Sequence, residues 1–187
     1  MKTQIFVAAL LFSLNAQAQE SPAESQAIRC GALTHIHTII SSPPAFNEAM
    51  AQATEFYGGV FAAFRETRTG SSATNGEVSG RRDTVEAELR KTWQTKPELV
   101  VREMALCNSW RAEFAPRIAA FNSEIRNGKQ AIEIVGTPPS APSPGEIDKW
   151  RPIVSTAFTA WAESGSKTGG EARSELKKNL LESLPKK

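Results

Sequence analysis

Apolar residues recur along this chain at helical spacing. At about 100° per residue, Ile28, Ala32, Leu33, Ile36, Ile39 and Ile40 fall in a sector about 140° wide, which predicts a helix running to about Ile40. Its start is written in Ser21-Pro22-Ala23-Glu24: a capping hydroxyl, a proline at the first helical position and a glutamate three residues on. Pro43-Pro44 stops this helix and opens the next. There Phe46, Met50, Ala53, Tyr57, Val60, Phe61 and Phe64 form the most regular apolar stripe of the chain. Gly58-Gly59 interrupts that stripe at a cost of about 1 kcal/mol per glycine, which points to close helix contact.

Residues 68–80 are rich in turn formers, including Gly70-Ser71-Ser72 and Asn75-Gly76, and read as a loop. A third helix follows, with Val85, Leu89 and Trp93 inward and Arg81, Arg82, Glu86, Glu88, Arg90 and Lys91 largely toward water. Thr95-Lys96-Pro97-Glu98 repeats the capping pattern and starts a fourth helix. Its stripe of Val100, Met104, Cys107, Trp110, Phe114, Ile118, Phe121 and Ile125 stays in phase across Pro116, so one long kinked helix ending near Asn127-Gly128 is expected. The segment 131–135 is the one brief run with strand-like spacing. GTPPSAPSPG at 136–145 is a linker or a long ordered loop. Ser143-Pro144-Gly145-Glu146 caps a fifth helix with Ile147, Trp150, Val154, Phe158 and Trp161 on one face, and Leu176, Leu180 and Leu184 end the chain in a short amphipathic helix. The fold expected is all-α: an up-and-down bundle of about five helices, pinned by one disulfide, with short connections making the first and second helices, and the third and fourth, antiparallel neighbours.

The N-terminus carries an export pattern. Lys2 supplies a positive start, residues 5–14 are mostly apolar, and Ala16-Gln17-Ala18 is the small-x-small sequence at which cleavage is expected. The apolar run is about half the length of a spanning helix, and the mature chain is expected to carry no transmembrane segment. The expected organisation is a signal peptide at 1–18, a helical domain at 19–164, and a flexible segment with the terminal helix at 165–187. The expected location is the periplasm, or secretion beyond it. In an oxidising compartment two cysteines pair, so Cys30 and Cys107 are assigned to one disulfide tying the first helix to the middle of the fourth.

The formal net charge is +2 for the full chain, and 1–18 contains Lys2 and no acid. Near-neutrality argues against nucleic acid as the main partner. Lys177-Lys178 and Lys186-Lys187 read as a solvated tail.

No catalytic or metal-binding residue is assigned, and no cofactor motif is present. His35 and His37, the only histidines, lie about 160° apart on a helix, so one metal ion could not readily take both. Both fall at the edges of the apolar sector, a boundary position suited to a water or backbone partner. Ser164-Gly165-Ser166-Lys167 and Lys167-Thr168-Gly169 match two motifs of penicillin-recognising enzymes, but one lysine would have to serve both and the intervening elements are missing. Glu86 with Glu88, and Glu146 with Asp148, have no pocket assigned to them. The reading that follows is an interaction module that binds a protein partner, or an apolar small ligand between its helices, with ligand-binding residues unknown and oligomeric state open. The alternative is a hydrolase-like enzyme whose site is assembled from scattered residues. Whether the loop around Ser71 and the linker around Pro142 flank one cleft would help decide.

Overall fold

Ser21 and Glu24 form the expected capping box. Ser21 Oγ accepts the Glu24 backbone N–H at 3.1 Å, and the Glu24 carboxylate accepts the Ser21 N–H at 3.3 Å. The computed structural model describes residues 19–39, 44–121 and 128–163. The expected signal peptide at 1–18, the segment 165–187 with its terminal helix, and Ser164 to Gly169 with their motif matches lie outside the described residues.

Six helices and no strand occur among the described residues. They are α1 (Pro22–Ile39), α2 (Pro44–Thr69), α3 (Asn75–Thr95), α4 (Pro97–Phe121), α5 (Gly128–Val135) and α6 (Glu146–Glu163). Side-chain pairing sets their directions. Glu24 meets Arg68 and Thr34 meets Thr54, so α1 and α2 are antiparallel. Glu20 meets Arg81 and Arg29 meets Glu88, so α3 returns parallel to α1. Gln26 lies by Cys107 and Arg29 binds Glu103, which makes α4 antiparallel to α1. Arg151 meets Glu98 and Glu146 meets Asn108, which reverses direction again in α6. The result is the up-and-down, all-α bundle.

Helix α1 is its axis, touching α2, α3, α4 and α6. Almost every position from Ala27 to His37 is buried, polar ones included. A helix enclosed on all sides has no water-facing stripe, which explains why its sequence is only weakly amphipathic. Gly31 lets α2 approach: a Cβ there would lie 3.5 Å from Tyr57 Cβ and 4.0 Å from the Gly58 nitrogen. Cys30 and Cys107 are bonded to each other and buried, and the Gln26 amide nitrogen lies 3.5 and 3.7 Å from the two sulfurs. The Tyr57 hydroxyl donates to the Cys107 carbonyl at 2.6 Å, and burial raises its pKa well above the usual phenol value.

Helix α4 passes through Pro116 as one element, as expected; the side chains of its expected stripe from Ile118 onward lie outside the described residues. Several boundaries differ from expectation. The loop after α2 spans only 70–74, because Thr74 and Glu77 form a second capping box that starts α3 at Asn75. Thr95 does not cap α4, since its hydroxyl bonds back to the Lys91 carbonyl. Residues 131–135 belong to helix α5, whose last carbonyls accept Trp110 Nε1–H at 2.8 Å and Arg117 Nη1–H at 3.2 Å. The 136–145 segment is an ordered loop, held where the Ser143 N–H donates to Ser109 Oγ at 2.8 Å. No helix among the described residues is long and apolar enough to cross a membrane.

Candidate functional site

Helical spacing sends the two histidines of α1 in different directions. His37 points toward α2 and α6, edge-on to Phe46 and Trp150 with ring centres 6.0 and 6.2 Å away. Burial lowers its pKa to about 4, and its Nε2 has no hydrogen-bond partner. His35 faces α3, where its Nδ1 lies 2.6 Å from Glu86 Oε1. Neither histidine is the boundary residue expected from the apolar sector: both are buried, because α1 is covered on every side. Glu86 corrects a further expectation. Expected on the water-facing side of α3, it is 0% exposed and meets His35 of α1.

His35 also lines an open groove of about 730 Å³ between α2 and α3. The α2 wall is Ala51, Thr54, Glu55, Gly58, Gly59 and Ala62, and the α3 wall is centred on Asn75, Gly76, Ser79 and Arg82. Both sets repeat at three- and four-residue steps, so each is one helix face. The small side chains create the space. A Cβ on Gly59 or Gly76 would meet nothing within 4 Å, whereas one on Gly58 would lie 3.3 Å from Val78 Cγ1, where the walls come together.

Charge enters the groove from one end. Arg82 Nε lies 3.8 Å from Glu86 Oε1, the same oxygen that holds His35. That contact balances the buried carboxylate without a hydrogen bond to the guanidinium. The Arg82 side chain is only 15% exposed, and no acceptor among the described residues hydrogen-bonds it. With Nδ1 engaged by Glu86, Nε2 is the ring nitrogen of His35 that can meet a molecule in the groove. Glu55 is exposed on the rim. The two threonine hydroxyls of the lining are committed internally: Thr38 donates to the His35 carbonyl at 2.7 Å and Thr54 to the Met50 carbonyl at 2.8 Å.

Ala73, Asn75 and Gly76, just after Ser71, contribute to this groove, while the 136–145 loop supplies none of its lining, so the two loops do not share this cleft. A second cavity, near Cys107 and Trp150, has a volume of about 10 Å³, too small for more than one water molecule. Among the described residues no three His, Cys, Asp or Glu side chains converge as a metal-ligand set. Glu146 bonds Asn108 and Trp150, and no interaction brings it to Asp148. Sequence reasoning missed Arg82 and Glu86. The available signal was an Arg-to-Glu step of four residues wrapped around buried Val85, and surface pairs carry the same spacing.

Comparison with protein families, with curated proteins and with solved structures finds no match to this chain.

Proposed function

We propose that this protein is an exported binding module that holds a small polar ligand in the groove between α2 and α3. The observation that carries this reading is the joint placement of His35 and Arg82 on one buried carboxylate at the end of that groove. Buried Glu86 orients the His35 ring through a hydrogen bond before any ligand arrives, which lowers the ordering cost of binding, and it lies 3.8 Å from Arg82 Nε. The lining mixes small apolar surface with a few directed polar groups, the usual make-up of a ligand site. This departs from the apolar ligand expected from the aromatic stripes, since Tyr57, Phe61 and Trp110 are consumed by the core.

Export rests on the N-terminal pattern, with the disulfide as a compatible feature. Native mass spectrometry of protein purified from the periplasm without reductant tests both parts. The expected mass corresponds to cleavage after Ala18 and loss of two hydrogens, plus a retained ligand. Gly59→Trp fills the groove without displacing a neighbouring atom at Cβ, so the adduct should disappear in that variant. An adduct unchanged by Gly59→Trp refutes the groove as the binding site.

A hydrolase is the second reading, favoured by the His35–Glu86 pair, which resembles an oriented general base. Against covalent catalysis, no hydroxyl among the described residues hydrogen-bonds the His35 ring. Turnover of simple esters or amides that is lost in His35→Ala would favour the enzyme.

A further inference from the structure

We infer that the group recognised in the groove is a small oxyanion, a carboxylate or a phosphate, held by the Arg82 guanidinium with His35 Nε2 beside it. This rests on the groove being the binding site and adds the chemistry of what it binds. Arginine presents five N–H donors and accepts nothing, and native proteins rarely leave such donors both shielded and unused. One donor of Arg82 is of this kind: its Nε is shielded from water and unbonded, and no described residue hydrogen-bonds the rest of the guanidinium, whose side chain is 15% exposed. Glu86 is 3.8 Å from Nε, which supplies charge balance and leaves the donors unfilled. The arginines packed elsewhere on α1 behave differently. Arg29 is satisfied by Glu103 at 2.9 and 2.8 Å, Arg68 by Glu24 at 2.7 and 2.9 Å, and Arg81 by Glu20 at 2.6 and 3.0 Å. Each grips a carboxylate with two donors. Arg82 lines the groove instead, whereas Arg90, whose Nε and Nη2 are also buried and unbonded, lies over the Trp161 ring at 4.5 Å.

A planar fork of donors matches the two oxygens of a carboxylate or two of a phosphate. His35 extends the recognition. Its Nε2 accepts from a hydroxyl next to the anionic group when neutral, and donates to the anion when protonated. Glu55 on the rim and Glu86 behind Arg82 both oppose anion binding, so recognition rests on the donor geometry of Arg82 and His35 and not on an excess of positive charge.

The test is isothermal titration calorimetry of the intact protein with glycolate, inorganic phosphate and the neutral analogue glycolamide, with NMR mapping of the shifted amides. Saturable binding of glycolate or phosphate, with glycolamide at least tenfold weaker, is expected, and the stronger of the two anions identifies which class the site prefers. Arg82→Gln should weaken binding at least tenfold, Arg82→Lys should recover part of it, and Glu55→Gln should strengthen it about twofold. Gly59→Trp fills the groove while residue 82 stays an arginine, which covers the case in which Arg82→Gln fails to fold. The inference is overturned if neither anion binds, if glycolamide binds as well as glycolate, or if binding survives Arg82→Gln or Gly59→Trp. A neutral ligand whose binding is lost in Gly59→Trp would overturn the oxyanion and leave the groove intact as the site.

Discussion

Replacing His37 with phenylalanine should flatten the acid limb of this protein's stability curve. His37 is 1% exposed, stands edge-on to Phe46 and Trp150, and carries a buried Nε2 with no partner. Its place in the last turn of α1 favours the charged ring through the helix dipole, but desolvation outweighs this and lowers the pKa from 6.5 to about 4. The unfolded chain therefore binds a proton between these two values while the native ring does not. Stability from this group is full above pH 6.5, falls as the pH drops toward 4, and levels off below that. At 1.36 kcal/mol per pKa unit the loss is roughly 3 kcal/mol. His37→Phe keeps an edge-on aromatic and removes the titrating nitrogen. Urea unfolding followed by circular dichroism at intervals from pH 7 to pH 4 gives both curves, and groups titrating in both proteins cancel in their difference. The variant should lose roughly 3 kcal/mol less than the wild type across the window. Parallel curves, or a His37 ring that titrates near 6.5 by NMR, would refute the reasoning.

Four other outcomes are expected. Reducing the Cys30–Cys107 bond, which spans a sequence separation of 77, should cost roughly 4.5 kcal/mol by the chain-entropy estimate and raise the urea m-value as the unfolded state expands; Cys30→Ala with Cys107→Ala, compared with the reduced wild type, separates the cross-link from packing of the sulfurs. Glu24→Ala removes the carboxylate gripped by Arg68, whose side chain is 25% exposed, and opens the capping box, and should destabilise by about 1.5–3 kcal/mol in equilibrium unfolding. Gly59→Ala should stabilise by about 0.5–1 kcal/mol, because its Cβ points into open space within α2 and restricts the unfolded chain; an unchanged or lower melting temperature would contradict this. The Thr74 N–H, with Arg65 and the Thr74 hydroxyl, holds the Glu77 carboxyl at about 2, so its NMR titration should lie well below the usual 4.5 and move back toward it in Thr74→Val, where the native link is lost as pH falls through the folded value.

How far the elements could be read from residue order depended on where their information sits. The Ser21–Glu24 box marked the start of α1 by a local contact three residues long. The equivalent box at Thr74–Glu77 was just as local but was masked by the glycines and serines around it, which made a loop appear to run on to residue 80. Helix α5 could not be separated from a strand by its pattern. Eight residues are too few for periodicity to decide, and it is fixed by α2, α4 and the donors on Trp110 and Arg117.

Residue order was enough for the helical period, the pairing of the two cysteines and the antiparallel pairing of helices joined by short connections, because each depends on near-neighbour spacing, on connection length or on a count of residues. Tertiary structure alone decided that α1 would lie at the centre of the bundle. Burial on every side of one helix is a property of its neighbours, and it drew polar residues inward that residue order places at the surface. Glu86 became a buried carboxylate, His35 turned its ring to it, and Arg82 was brought beside both without an acceptor of its own. The groove has the same origin: the small residues of α2 and α3 are unremarkable in either helix and enclose a space only when the two faces are set against each other over α1.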